Sequence, residues 1–460
     1  MRITRRKVLA GGAGLGALGI FGCDPAAKPT GDSGDTGAGT PTRAPEPAPW
    51  DAPGTEDTAA FAWGVQSGDT TTDMALVSIR TTEQLVTLVL MEGVEDTWVE
   101  VERVEGLVPD DRVVQVSFEG LQPDTAYSFT AYAADPSRRS PVGRFRTALP
   151  AGVARVVTFG AVSCIGGNEP WPSLSHAAAE NLDFFCLLGD TIYADYGTDA
   201  FQYETKWDTA LSTQGLRDVT ASTSLIATWD DHEVANNYSF ETTEGIDALF
   251  PEGLAAFRRA LPLGVGPGGG IWRKLSWGPT LDVLVLDCRG ERRDGNYISV
   301  AQMDWLKAEL LSSTARFKIV LNSVPITDLS AIFGSAQQSD RWSGYPTQRA
   351  EILSHIRDNG VEGVLWITGD VHYAQIGRVD PAGGVGEDQW EVLAGPGGST
   401  LNAIVEAFVG SEQYPVIFAQ WNWARFTCDP GAGTITVTYI GDDGGVLAEK
   451  VLDLLGVSSG

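Results

Sequence analysis

Four apolar runs in this chain each end on a residue that can bind a metal ion, and that coincidence restricts the fold more than any other feature. Asp183-Phe184-Phe185-Cys186-Leu187-Leu188-Gly189-Asp190-Thr191-Ile192-Tyr193 sets the pattern. Its apolar half suits a strand buried on both faces and is short for a helix. It stops at a glycine, presents a carboxylate, and then offers the Tyr193 phenol. The same grammar recurs where Leu225-Ile226-Ala227-Thr228-Trp229 leads into Asp230-Asp231-His232-Glu233, and where Val364-Leu365-Trp366-Ile367-Thr368-Gly369 leads into Asp370-Val371-His372. Upstream, the run from Val156 to Ser163 leads into Cys164. Open α/β sheets place ligand chemistry at the carboxyl edge of buried strands.

At 460 residues, with 43% apolar and 20% charged side chains, the chain has room for two globular domains. The formal net charge is −28; Arg2, Arg5, Arg6 and Lys7 precede Cys23 without an acid, so from Cys23 onward it is −28 less those four, or −32. Such an excess repels phosphate backbones, which argues against a nucleic-acid partner, and it suits an exported protein that binds multivalent cations. Most of these acids serve equally well as a solvated surface.

Thr4-Arg5-Arg6-Lys7-Val8-Leu9 holds a twin-arginine pair ahead of a modestly apolar, Gly- and Ala-rich run from Val8 to Phe21. That run is short for a bilayer span. It ends at Ile20-Phe21-Gly22-Cys23, which resembles a bacterial lipoprotein cleavage box with Cys23 as the lipidated residue. Residues 1–22 are therefore expected to be a twin-arginine lipoprotein signal, the alternative being an uncleaved amphiphilic anchor. The mature protein would then be periplasmic or at the cell surface, held to a membrane by lipid on Cys23. Residues 23–57, made of Pro, Gly, Thr and Asp with almost no large apolar side chain, read as a flexible linker. Cys164, Cys186, Cys288 and Cys428 lack zinc-type spacing; Cys186 and Cys288 lie in apolar runs as core residues, and a disulfide among the four stays open.

Residues 58–149 change to short alternating runs, such as Met74 to Ile79, Val86 to Leu90, Val113 to Phe118 and Tyr127 to Tyr132. Strands at this spacing predict a β-sandwich. Leu121-Gln122-Pro123-Asp124-Thr125-Ala126-Tyr127 looks like the tyrosine corner of fibronectin type III-like domains. The module is either a stability cap or a substrate-shaping element. Residues 152–460 alternate strands with helical stretches, predicted at Trp171 to Asn181, Ala248 to Leu261, Val300 to Ser313 and Thr347 to Asn359, with Thr347 as N-cap and Gly360 as stop. From Gln389 onward the pattern returns to strands. Two mixed sheets flanked by helices are the expected packing.

The ligand inventory at the strand ends is Cys164, Asp190, Tyr193, Asp230, Asp231, His232, Asn236, Asn237, Asp370 and His372. Carboxylate oxygens suit hard ions such as calcium, whereas a phenolate, a thiolate and an imidazole favour a transition metal. The mixed set predicts mixed metals that polarise a phosphoryl oxygen and generate a hydroxide. Gly-Asp alone is more often an ordinary turn, and Asp370-Val-His372 alone could be a surface pair. Two of the chain's 4 histidines fall in these motifs; the others, His176 and His355, lie in helical stretches and read as structural.

Phe61 to Asp69, Ser163-Cys164, Leu188-Gly-Asp-Thr-Ile-Tyr193, Trp229-Asp-Asp-His-Glu233 with Asn236-Asn237, Leu286-Asp-Cys-Arg289, Asp340 to Tyr345 and Thr368-Gly-Asp-Val-His372 together resemble the PhoD-like alkaline phosphatase family. The match runs in order from about Ala60 to His372; Leu393 to Gly398 departs from what the family leads one to expect. The resemblance implies an α/β fold, a metallophosphatase-type two-sheet αββα sandwich preceded by the fibronectin type III-like domain. It implies a metal-dependent phosphomonoesterase or phosphodiesterase with ferric ion and calcium, akin to purple acid phosphatases. Carried over, Cys164 and Tyr193 would ligate iron, Asp190 would bridge to calcium, and Asp370 and His372 would complete the cluster. Asp231 and one of Asn236 or Asn237 would hold calcium or substrate. His232 would face the scissile phosphate as proton donor or charge stabiliser, and Arg289 is either a phosphate contact or a structural ion pair. The expected partner is a phosphoester substrate, and a monomer is expected. Competing readings are a strict phosphodiesterase acting on phospholipid or teichoic-type polymers, and a calcium-binding surface lipoprotein without turnover.

Overall fold

All four apolar runs form strands, as Val157–Val162, Phe184–Leu187, Ser224–Ala227 and Val364–Thr368. They belong to a computed structural model that describes residues 40–195, 199–334 and 338–455. The first three pair in parallel, in sequence order, within a nine-stranded sheet. On one side this sheet continues antiparallel through the meander Asn422–Asp429, Thr434–Gly441 and Val446–Asp453. Val364–Thr368 lies in the middle of a seven-stranded sheet, between Phe317–Leu321 and Trp390–Leu393.

The two sheets face each other over an apolar core. Phe159 stacks on Phe184 and Phe426 at 4.6 and 4.8 Å, and Phe184 meets Trp277 at 4.2 Å. Val283, Ile319, Leu365 and Ile367 close this core from the other sheet. Both faces of these strands are buried, which is why they read as unbroken apolar runs. Outside the nine-stranded sheet lie helices Pro172–Ala178, Ala200–Ser212, Gln214–Ser222 and Ile246–Ala260, packed through Leu174, Trp207, Leu216 and Phe257. Val300–Ser312 and Pro346–Asp358 cover the other sheet with Leu306, Leu310, Ile352 and Ile356. The layers therefore run helix, sheet, sheet, helix, as expected. Two details differ from expectation. The N-cap of the last long helix is Tyr345, with Pro346 in its first turn, where the missing N–H costs nothing. Helices Ala200–Ser212 and Gln214–Ser222 were hidden by polar residues between their few apolar ones. The expected stop at Gly360 holds: with φ +60° it lets Val361 N–H reach the Ile356 carbonyl at 2.9 Å.

The N-terminal region packs a second sheet, built on Val86–Val94, Thr97–Leu107 and Ala126–Tyr132, against Val65–Gly68, Met74–Arg80 and Val113–Glu119. Tyr127 forms the corner read from sequence, its hydroxyl accepting from Gln122 N–H at 2.8 Å. This sandwich is not a separate bead. Val65–Gly68 pairs in parallel with Ser224–Ala227, so three sandwich strands extend the nine-stranded sheet itself. Asp69 clamps the junction: its carboxylate takes two hydrogen bonds from buried Arg273, both at 2.6 Å.

The linker reading fails for its described part. Pro41 O accepts from Val156 N–H at 2.8 Å, Arg43 donates to Leu182 O at 2.9 Å, and Trp98 Nε1 donates to Ala48 O at 2.7 Å. Residues 40–57 are held by such polar contacts, which an apolar-core criterion does not register. Cys164, Cys186, Cys288 and Cys428 are all buried free thiols, so the open disulfide is not formed among them. The expected signal and Cys23 lie outside the described residues. No helix among the described residues is long and apolar enough to cross a membrane.

Candidate metal centre

The Gly-Asp step at two of the four strand ends, Gly189-Asp190 and Gly369-Asp370, has a steric origin. A Cβ on Gly189 (φ +106°) would lie 2.5 Å from Asp230 Cβ, and one on Gly369 would lie 2.4 Å from Ser163 Cβ. Glycine thus allows neighbouring strand ends to close on each other and bring their next residues together. Those residues adopt left-handed backbone at Cys164 (φ 53°), Asp190 (54°), Asn237 (51°), Asp370 (69°) and His372 (59°). Such conformations are costly for non-glycine residues and cluster where surrounding structure imposes them for function.

The side chains converge. Ligand atoms of Cys164, Asp190 and His372 lie within 4.8 Å of one another, and so do those of Asp190, Asp231 and His232. Asp190 is common to both groups. Tyr193 joins the first: its hydroxyl is 3.4 Å from Asp190 Oδ2 and 3.3 Å from His372 Nε2. Its ring lies 4.2 Å from that of His232. Asp370 lies near the same group from the seven-stranded sheet, with Arg289 Nη2 at 3.9 Å from it and also from Asp231.

Buried polar residues behind the centre hold it in shape. Glu233 is fully buried and accepts backbone N–H groups of Asp190, Thr191 and Asp230 at 3.0, 2.7 and 2.8 Å. One carboxylate therefore ties two ligand-bearing strand ends. Arg289 is 0% exposed and pairs with Asp230 and Asp340. That geometry favours the ion pair over the phosphate contact, because its guanidinium lies behind the ligands. Asn236 is exposed, whereas the Asn237 N–H donates to Asp231 Oδ2. His176 and His355 stay outside the cluster, the latter meeting Lys307 O at 3.1 Å.

Electrostatics favour cations here. Burial and the charges of Asp231 and Asp230 push the Asp190 carboxyl well above the carboxylate range, and burial with Asp230 and Asp340 does the same to Asp370. Burial and Asp190 likewise raise the Cys164 thiol and the Tyr193 phenol. Asp190 Oδ1 is buried without a hydrogen-bond partner. A cation would relieve each of these penalties, so the donor set fits a metal. Burial and the charge of His232 lower His372, favouring the neutral imidazole a metal needs. His232 behaves oppositely. Burial alone would lower it, but the Asp195 hydrogen bond and the charge of Asp231 outweigh burial and raise it to about 9.

Two residues at the centre escaped sequence reasoning, and Glu233 stood there in its motif without a role. Asp195 Oδ1 holds His232 Nδ1 at 2.5 Å. Ser399 Oγ sits 2.9 Å from the Tyr193 hydroxyl, and Glu233 is the tie described above. Leu393 to Gly398, which departed from expectation, packs directly on the cluster: Gly398 and Ser399 N–H donate to Cys164 O at 3.2 and 3.0 Å.

Two apposed sheets carrying oxygen, sulfur and nitrogen donors at their strand ends define a metallophosphatase-type fold. A model of the PhoD-like phosphatase matches residues 159–420, and one of the PhoD-like phosphatase N-terminal domain matches residues 47–149. The chain belongs to the PhoD-like phosphatase family. It is 28% identical over 314 residues to alkaline phosphatase D of Bacillus subtilis (strain 168), covering 56% of this chain and 53% of that one, about half of that relative's length. A solved structure of PhoD superposes with a TM-score of 0.73 at 22% identity, over 88% of this chain and 90% of that one. Purple acid phosphatase PPD1 from yellow lupin (Lupinus luteus) seeds gives 0.63 at 14% identity, over 84% and 73%. The last two are likenesses of fold.

Proposed function

We propose that this protein is an exported, metal-dependent phosphoric ester hydrolase, anchored by lipid at Cys23. The observation that carries the reading is the convergence of Cys164, Tyr193 and His372 on one side, and Asp231 and His232 on the other, on the buried Asp190 carboxylate, whose Oδ1 has no hydrogen-bond partner. Cys164, Tyr193 and His372 would hold iron, Asp190 would bridge, and Asp231 with Asn237 would hold calcium. Asp370 would complete the set. Bound cations supply Lewis-acid polarisation of the phosphoryl group and an activated water.

The chain's own residues do the rest. Asp195 fixes His232 through Nδ1, which leaves Nε2 for substrate. The Asp195 hydrogen bond raises the His232 pKa and so favours the protonated imidazole. As the ester P–O bond breaks with its electron pair, Nε2–H donates the proton to the departing alcohol oxygen. Glu233 and Arg289 act by position, since neither reaches the open side of the centre.

The test compares p-nitrophenyl phosphate with bis(p-nitrophenyl) phosphate, with and without calcium and a chelator, alongside metal analysis. Turnover that tracks bound iron and calcium is expected. A metal-free preparation with full activity would overturn metal dependence, and absence of turnover with both metals bound would favour a calcium-binding lipoprotein.

A further inference from the structure

Residues 46–50 do more than brace the sandwich: together with it and two helices they border a cavity of about 760 Å³. Ser128 pairs with Arg144 and Ala126 with Arg146, and the intervening Tyr127 and Phe145 fill the sandwich core. Both arginines therefore project from the outer face of that sheet. There Arg43 and Arg146 pair with Glu46, and Trp98 Nε1 donates to the Ala48 carbonyl at 2.7 Å. The indoles of Trp50 and Trp98 stand in the cavity wall. Helices Pro172–Ala178 and Gln214–Ser222 make the opposite wall. They end at Ala178 and Ser222, just before the parallel strands Phe184–Leu187 and Ser224–Ala227, so the cavity lies at the amino edge of the nine-stranded sheet. The metal centre occupies the carboxyl edge, and the two share no residue.

Arg144 is the cation of this wall that lacks a counter-charge. Its Nε donates to the Ser222 carbonyl at 2.8 Å and its Nη2 to the Ala178 carbonyl at 3.3 Å, which fixes the guanidinium at two helix ends. No carboxylate pairs with it among the described residues, and burial lowers its pKa. The acids of the wall are engaged elsewhere. Glu46 is paired as above, and Glu56 Oε1 stands 3.8 Å from Arg217 Nη2. Asp218 accepts from Ser175 Oγ at 2.7 Å and from Gln214 Nε2 at 2.5 Å.

We propose that this cavity binds a saccharide bearing a carboxylate, at a site separate from the metal centre. The carboxylate meets Arg144, which a buried cation without an acid favours. The flat C–H faces of the sugar rings lie on the indoles of Trp50 and Trp98, and hydroxyls reach Asp218 and Gln214. A few fixed polar groups in an aromatic-lined cavity of this size are the usual make-up of a ligand site. A phosphate monoester suits it less well, because Asp218 and Glu56 repel its nearly double charge about twice as strongly as a single one.

Calorimetric titration of the full chain, metal-loaded and metal-stripped, separates the contributions with three probes. These are digalacturonic acid, its uncharged dimethyl ester, and adipate, a dicarboxylate without rings. Digalacturonic acid should bind about tenfold more tightly than the ester, the worth of one charge-assisted hydrogen bond, and equally in both metal states. Arg144→Gln should abolish that ratio. Trp98→Ala, on the edge strand Thr97–Leu107, should weaken both sugars about fivefold and keeps the test decisive where Arg144→Gln fails to fold. Equal binding of acid and ester overturns the role of Arg144, and unchanged binding in Trp98→Ala overturns stacking. Adipate binding as tightly as digalacturonic acid overturns a saccharide site, and no binding of either sugar at millimolar concentration overturns the proposal as a whole. Binding lost with the metals overturns a separate site. Since no hydrolysis is read, failure of the phosphoesterase reading leaves the outcome untouched.

Discussion

The most informative single residue is Asp195, because it decides what His232 can do. Its carboxylate is the chief influence raising the imidazole against the effect of burial. In the metal-free protein, Asp195→Asn should lower the His232 pKa from about 9 toward the ordinary imidazole value, followed by NMR titration of the ring protons. An unchanged titration would mean that Asp231 alone sets the charge. His232→Asn should cost on the order of 10²-fold in kcat for an alkyl phosphate, the typical loss when a proton donor is removed. An aryl phosphate, whose leaving group needs no proton, should suffer less. The ligands themselves were legible because an apolar run, a glycine and a donor sit side by side in the chain. Asp195 was not, although it stands two residues from Tyr193, since its partner lies 37 residues away. Ser399 was less so, at 206 residues from Tyr193. Arg289 was half legible: its type suggested an anion partner, and only burial shows that Asp230 and Asp340 already fill that role.

At the scale of elements, strand ends are joined by shared polar ties. Glu233 takes three buried backbone N–H groups, so Glu233→Ala leaves each without a partner. At about 1 kcal/mol or more for each orphaned donor, the variant should lose at least about 3 kcal/mol in urea unfolding and show weakened metal retention. A loss below about 1 kcal/mol would show that the strand ends do not depend on this tie. The junction of the sandwich with the main sheet is equally tight. A Cβ on Gly68 would lie 2.3 Å from Pro262 O, so Gly68→Val should destabilise the whole molecule by about 2 kcal/mol or more, read as a lower Tm in one transition. Two separate transitions in the parent protein would contradict a single folding unit. Strand and helix existence was readable from periodicity, but the pairing of Val65–Gly68 with Ser224–Ala227 was not. Pairing across that separation leaves no local signature in either strand, and the sandwich therefore looked self-contained.

For the whole molecule, the acids that give the chain its net charge of −28 are not all surface. Asp190 and Asp370 sit in the centre with pKa values pushed well up by burial and by other carboxylates. In the unfolded chain the same groups ionise near pH 4. Between those limits the native state binds more protons than the unfolded one, so unfolding becomes easier as pH rises. Protein stripped by a chelator should accordingly have a higher Tm near pH 5.5 than near pH 8. Cations reverse this: they bind the ionised carboxylates of the native centre alone, so their stabilisation grows as pH rises. Adding iron and calcium back should raise the Tm more at pH 8 than at pH 5.5, which differential scanning calorimetry at both pH values measures. A metal-stripped protein whose Tm is flat or rising from pH 5.5 to 8 would show that buried arginines, Arg289 foremost, already neutralise the centre. The cations would then act on substrate without also supporting the fold.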